Sequence, residues 1–419
     1  MCGIVGYSGP KEPLPILING LSRLEYRGYD SSGIAISDGS KITIEKKEGK
    51  LNVLKDHLKN NPVSGNIGIG HTRWATHGVP NDVNAHPHSD NGEEFAVIHN
   101  GIIENYAEIK KDLLKEGFVF KSDTDTEVVA VELSRKWNGE LLKTVIDVAK
   151  TLDGTYALVV TTTKEEGTIV AGRLMSPLVL GVGDNEVFLA SDSAAILEHT
   201  KKMIFLENGD FVEIKNGQYK LFDSDLNEIE REIQEIDWEV SEAEKAGYDH
   251  FMYKEILEQP EVIERTISGR LETTSEEIPI KLDQASKYEK IWIVACGTAY
   301  HAGLFGKDLF EKVLGVPVSV ELASEFRYRE PIVGKNDLGI VISQSGETMD
   351  TIAATELLKE NGAHVLALVN VVGSSLARMA DCIFYLHVGP EIGVASTKAY
   401  LGMLVGQLLL AKHWDSANK

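Results

Sequence analysis

The chain has 419 residues, enough for two or three domains with cores of their own. Hydrophobic residues make up 43% and charged residues 25%, as in an ordinary globular protein, and a net charge of −22 argues against a nucleic-acid or anionic-membrane surface. Cys2, Cys296 and Cys382 cannot build a disulfide scaffold, Met1 to Gly20 lacks a signal-peptide pattern, and no apolar run is long enough for a membrane span, so a cytoplasmic protein is expected.

The opening MCGIVGY leads a cysteine straight into an apolar strand. Cysteine is small enough for Met1 to be removed, which leaves Cys2 with a free α-amino group beside its thiol. The amine titrates at about 7.7–8 and the thiol at about 8.5. One residue then supplies both a nucleophile and a general base. The plain alternative is an incidental cysteine in a frayed terminus.

GNIGIGHTRWATHG (Gly65 to Gly78) and EEFAVIHNGII (Glu93 to Ile103) read as short strands ending in glycine-containing loops. NYAEIKKDLLKEG (Asn105 to Gly117) has helical apolar spacing and a closing glycine, whereas GTYALVVTTT and EVFLASDS are strand-like. Strands in pairs with helices between them predict an α+β layered sandwich.

Three stretches in this half offer parts for a site around Cys2. Arg73 of HTRWATHG presents a guanidinium fork suited to an amino-acid carboxylate; otherwise it is a surface arginine. HNG places the Asn100 amide and the Gly101 N–H where an oxyanion hole can form; the alternative is an Asn-Gly turn. Asp125 of SDTDTE offers an anion for an ammonium group, unless the stretch is only a helix N-cap followed by Glu. His71, His77, His86 and His88 raise a metal reading, which no HExxH or paired-cysteine spacing supports. Neither a metal nor a cofactor is expected.

Residues 223–277 are acidic and helix-prone at their start, in DSDLNEIEREIQEIDWEVSEAEKAGYDH, and read as a linker between domains at 2–222 and 278–419. After Lys281, KIWIVACG, VPVSVELA, DLGIVISQSG, AHVLALVN and CIFYLHVG are apolar runs without polar alternation, separated by helical stretches. They predict an α/β doubly wound parallel sheet. SQSGET (Ser343 to Thr348) follows a strand and opens a helix, so its N–H groups and hydroxyls form a phosphate cradle without a Walker lysine. The alternative is a helix capped by Ser or Thr.

CGIVGY, EYRGYDSSGIA, HTRWATHG, NAHPH, HNGIIENY and DTDTE occur in this order. Together they resemble the N-terminal-nucleophile (Ntn) glutaminase domain of the class II glutamine amidotransferases. GYDHFMYKEILEQP and the α/β unit after it resemble the linker and first sugar-isomerase (SIS) domain of the members that aminate a sugar phosphate. The fold implied is an Ntn-hydrolase layered sandwich followed by an SIS domain. The resemblance implies that Cys2 attacks the glutamine amide, that Arg73, Thr76, His77 and Asp125 hold the amino acid, and that Asn100 and Gly101 meet the oxyanion. It places Trp74 at the mouth of an ammonia tunnel and gives Arg27 the task of ordering the nucleophile's surroundings. Ser343, Gln344, Ser345 and Thr348 are implied to hold the sugar phosphate, with Thr298 and Val394 lining the sugar. Ala299 departs from the serine often found at its position.

The implied partners are L-glutamine and fructose 6-phosphate, with glucosamine 6-phosphate as product, in a homodimer formed through the SIS domains. Nucleic-acid and membrane partners are not expected. The resembling enzymes carry a second SIS domain with the isomerising residues beyond the point where this chain stops, so the sequence reads as a fragment. Two other readings stand beside this one. A different class II amidotransferase, such as the phosphoribosyl-pyrophosphate enzyme, is opposed by SQSGET. A sugar-phosphate sensor with a relic glutaminase half is opposed by the full set Cys2, Arg73, Asn100, Gly101 and Asp125.

Overall fold

The computed structural model describes residues 2–75, 78–236, 247–271 and 278–415, and the chain divides into two compact units, Met1–Val240 and Ser241–Lys419. In the first unit, alternation along the strands sends side chains to two different cores. Val5, Tyr7, Ile34 and Ile36 pack under the helices Pro13–Leu24 and Leu51–Asn60. Their neighbours Ile4, Ala35, Ile67 and Ile69 face a second sheet, meeting Ala96, Ile98, Ala157 and Val159. Both faces of Gly3–Ser8, Ser31–Ser37 and Ile67–Arg73 are therefore buried, and regular polar alternation is absent from their sequences for that reason.

The first sheet has eight strands in the order Gln234–Glu235, Lys202–Phe205, Val179–Val182, Val187–Ala190, Gly3–Ser8, Ile67–Arg73, Ser31–Ser37 and Ile42–Glu48. The second has seven, in the order Glu228–Ile229, Gln218–Phe222, Phe211–Lys215, Thr168–Leu174, Gly154–Thr162, Phe95–Ile103 and His88–Ser89. Helices Asp125–Lys136 and Leu141–Ala149 cover its outer face through Val129, Leu133, Leu141 and Val145. The result is a helix–sheet–sheet–helix sandwich.

The stretch after Asp223 is helix-prone by composition, yet its first part adds the short edge strands Glu228–Ile229 and Gln234–Glu235. Arg231 anchors it with two 2.9 Å bonds to the Asp210 carboxylate. Pairing to existing sheet edges and this ionic anchor override a local preference worth only tenths of a kcal/mol per residue.

In the second unit five parallel strands run in the order Val318–Leu322, Lys290–Ala295, Asp337–Ser343, His364–Val369 and Cys382–Tyr385. Ile291, Ile293, Ile340, Leu366 and Leu368 pack in one core with Phe310, Met403 and Trp414 of the helices Gly297–Leu314 and Lys398–Trp414. The chain leaves Lys290–Ala295 for one neighbour and later returns to the other side, at Asp337–Ser343. That reversal makes the carboxyl ends of these two strands the topological switch point, where such sheets open a crevice. Among the described residues no helix is long and apolar enough to cross a membrane.

Candidate active site

Cys2 precedes the strand Gly3–Ser8, whose Gly3 pairs with Thr72 on the neighbouring strand Ile67–Arg73. This register brings the thiol to Trp74, whose backbone N–H donates to Sγ at 3.2 Å. Burial pushes the Cys2 thiol pKa up, against the pull of that N–H and of the Arg73 charge. The thiol therefore rests protonated at neutral pH, and attack requires a base.

Two residues of EYRGYDSSGIA shape the Arg73–Ala75 backbone. A Cβ at Gly28 would lie 2.6 Å from the Arg73 carbonyl carbon and 2.8 Å from the Trp74 nitrogen, so only glycine permits this approach. The Asp30 N–H donates to the Arg73 carbonyl at 3.0 Å, and its carboxylate accepts from the Ala75 N–H at 2.8 Å. Arg73 itself is buried, with Nη2 donating to the Gly78 carbonyl at 3.3 Å. Burial lowers its pKa, and attraction to Cys2, Asp125 and Asp30 opposes this. Trp74 is 41% exposed and meets Tyr29 edge-on at 5.3 Å. Arg27 pairs with Asp192 and donates from Nε to the Tyr26 hydroxyl at 2.9 Å. Asp192 follows Ser191, whose hydroxyl accepts from the Ile4 N–H at 3.0 Å, so this ion pair braces the strand behind Cys2.

Asn100 and Gly101 do not form a turn. They lie within the strand Phe95–Ile103, opposite Ala157 and Tyr156. Gly101 has φ +130, and a Cβ there would meet the Thr155 carbonyl oxygen at 2.0 Å. Asn100 Nδ2 donates to the Cys2 carbonyl at 3.1 Å. Asp125 opens its helix, but its neighbours do the capping. Thr124 accepts from the Glu127 N–H at 3.4 Å, and the Glu127 carboxylate accepts from the N–H groups of Lys121 at 2.8 Å and Ser122 at 2.6 Å. The buried Asp125 carboxylate accepts from the Ile103 N–H at 2.9 Å. Thr76 and His77 lie outside the described residues.

His71, His86, His88 and His99 are buried together behind Asn100. Burial pushes all four imidazole pKa values down, to about 3 for His71 and well below the usual range for His86 and His88. They are neutral rings. Among the described residues no group of three His, Cys, Asp or Glu is placed to hold a metal ion.

In the second unit, SQSGET leaves the strand Asp337–Ser343 and enters the helix Met349–Glu360. Ser343 Oγ accepts from the Gly346 N–H at 3.0 Å and lies 3.3 Å from Thr348 Oγ1, while Ser345 Oγ accepts from the Glu347 N–H at 3.1 Å. The Glu347 carboxylate is taken up by the Ser375 N–H at 2.7 Å and hydroxyl at 2.8 Å. Thr298 is exposed at the start of the helix Gly297–Leu314, which leaves the adjacent strand end, where Ala295 pairs with Ile342. Ala299 instead packs into the hydrophobic core. Val394 is 73% exposed, in a loop whose Ile392 and Gly393 N–H groups donate to Glu255 at 2.6 and 2.9 Å.

A glutamine amidotransferase domain matches residues 56–267 and an SIS domain matches residues 285–412. The chain is 50% identical over 417 residues to the glutamine–fructose-6-phosphate aminotransferase [isomerizing] of Clostridium acetobutylicum, covering 98% of this chain and 68% of that one. The chain belongs to the glutamine–fructose-6-phosphate aminotransferase family. Members from Clostridium tetani and Caldanaerobacter subterraneus subsp. tengcongensis are each 50% identical to it, with 99% and 98% of this chain and 69% and 68% of those chains covered. Membership sets aside the reading as another class II amidotransferase.

Within this family member, the structure brings Cys2, Arg73, Trp74, Asn100, Gly101 and Asp125 to one end of the sandwich, and Thr298 and Ser343 to Thr348 to one switch point. Four residues that support these groups give little sign of that role in the sequence. Asp30 and Glu255 lie inside quoted motifs, the only signal they give. The spacing of His71 with the other histidines suggests only a metal ligand. Asn370 closes the quoted strand run AHVLALVN and gives no other signal; its N–H donates to the Gln344 carbonyl at 3.3 Å, and its side-chain amide accepts from the Val388 N–H at 3.0 Å and donates to the Gly389 carbonyl at 2.8 Å.

Proposed function

We propose that this chain hydrolyses the side-chain amide of L-glutamine at Cys2, and that the ammonia aminates fructose 6-phosphate to glucosamine 6-phosphate. One observation carries the reading: a half-buried thiol, an arginine and a carboxamide donor meet where the strands Gly3–Ser8 and Ile67–Arg73 face Asn100 of the second sheet, with Trp74 N–H 3.2 Å from Sγ and Asn100 Nδ2 3.1 Å from the Cys2 carbonyl. Once Met1 is removed, the Cys2 α-amine takes the thiol proton and the thiolate attacks the amide carbon. Asn100 Nδ2–H and the Gly101 N–H receive the oxyanion. The Cys2 α-ammonium returns that proton to the leaving nitrogen as the tetrahedral intermediate collapses, which expels ammonia, and water, deprotonated by the same amine, then releases glutamate from the thioester and frees the thiol. Arg73 grips the substrate carboxylate and Asp125 the ammonium, and Thr76 and His77 are assigned to glutamine binding beside them on the family resemblance.

In the second unit Ser343, Gln344, Ser345 and Thr348 take the sugar phosphate at a helix start, and Thr298 and Val394 line the sugar. We assign glutaminase, linker and SIS segments to 2–222, 223–277 and 278–419, with a homodimer formed through the last. Three free cysteines suit a cytoplasmic setting. The test is Cys2→Ala, with glutamate release measured against the parent chain. Loss of hydrolysis is expected, and undiminished release overturns the assignment.

A further inference from the structure

His71 takes no part in the steps above, yet it bonds directly to the group that meets the oxyanion. It sits on the strand Ile67–Arg73, and its Nε2 lies 3.0 Å from Asn100 Oδ1 and 3.1 Å from the His99 carbonyl. Both contacts are acceptors, so Nε2 carries the proton. Nδ1 is buried with no hydrogen-bond partner, which suits a bare nitrogen and not an N–H. With Oδ1 engaged by His71, the Asn100 amide turns Nδ2 the other way, towards Cys2. In the flipped amide, two N–H groups would face each other.

The ring is held in place. It stacks on His86 at 4.2 Å and 21°, and His86 Nδ1 accepts from the His99 N–H at 3.3 Å. His71 and His86 thus grip the carbonyl and the N–H of the residue just before Asn100. The wall continues through His88, edge-on to His86 at 4.8 Å, whose Nε2 lies 3.0 Å from Thr124 Oγ1, one residue before Asp125.

We propose that His71 is a positioning residue for glutamine hydrolysis, its Nε2–H fixing the Asn100 carboxamide so that Nδ2 is presented at the nucleophile. The proposal rests on the glutaminase reading. The test uses the full chain with His71→Phe, which keeps the stacked ring and loses the donor, and His71→Gln, which restores an N–H. Removing an oxyanion donor costs about 10²–10³ in turnover, so a misaligned one should cost about 10–100-fold. The expected result is that fall in kcat for His71→Phe, a glutamine KM changed less than about twofold, and partial rescue by His71→Gln. Combined with Asn100→Ala, His71→Phe should add no further loss, because it acts through that amide.

An unchanged kcat in His71→Phe, a rise in KM matching the fall in kcat, or multiplicative losses in the double variant each overturn the proposal. Should His71→Phe not fold, His71→Met, which fills the space without a donor, replaces it alone and with Asn100→Ala in the same cycle. Hydrolysis surviving in Cys2→Ala would instead overturn the glutaminase reading, which separates the two failures.

Discussion

Lowering the pH from 7 to 5.5 should destabilise the first unit through its buried histidines. An unfolded histidine titrates at about 6.5. In the fold, burial holds His71 at about 3 and pushes His86, His88 and His99 down as well. Between these limits the unfolded chain binds protons that the folded chain refuses. Stability therefore rises with pH in this window; it is fully present above about 6.5 and is lost progressively as pH falls towards 3. His71, His86 and His88 each contribute about 1.3 kcal/mol of loss between pH 7 and 5.5, about 4 kcal/mol together, and His99 adds to it in the same direction. That is a large share of the about 5–15 kcal/mol by which a typical domain is stable. Urea unfolding followed by circular dichroism at both pH values measures the gap. His71→Phe removes one of the four protons, so its gap should be smaller by about 1 kcal/mol, and comparison with the parent cancels the second unit's contribution. The same gap in both proteins, or no gap at all, would refute the reasoning.

Arg73→Lys keeps the charge but loses the fork, so glutamine binding should weaken by about 1.5–3 kcal/mol, and an unchanged KM would move the carboxylate clamp elsewhere. Gly101→Ala forces a side chain into a φ of +130 against the Thr155 carbonyl. It should cost about 1–3 kcal/mol of stability and lower kcat, checked by thermal melting and glutamate release; an unshifted melt contradicts the strain. Ser343→Ala removes the hydroxyl that accepts from the Gly346 N–H, and calorimetry should show fructose 6-phosphate binding weakened by about 1 kcal/mol.

The parts of the site that could be read along the chain are those whose chemistry sits in one short stretch. Cys2 before an apolar strand, and SQSGET between a strand and a helix, each combine reactive groups with the local geometry they need. HNG shows where this limit lies. Asn-Gly is a strong turn signal, but the ladder of Phe95–Ile103 with Gly154–Thr162 passes through it and carries Gly101 at positive φ as part of the strand. The acidic stretch after Asp223 is similar: its composition favours helix, and the sheet edges took it. In both places long-range pairing outweighed a local preference of a few tenths of a kcal/mol per residue.

The histidines could not be resolved from spacing alone because their partners lie across the sandwich. His71 belongs to the first sheet, and His99 and Asn100 belong to the second. Cys2 leads into the first sheet, yet the amide aimed at it comes from the second. Cys2 and the Asn100 amide are therefore aligned only when the two sheets close on the Ile4, Ile69, Ala96 and Ile98 core. The His71–Asn100 bond at 3.0 Å ties the sheets together at that point. Buried polar groups must be paired, so a slip of one sheet against the other would strand the His71 donor and the Asn100 acceptor in an apolar interior, at about 1–3 kcal/mol each. The same bond that engages the Asn100 amide thus penalises the misregistered sandwich.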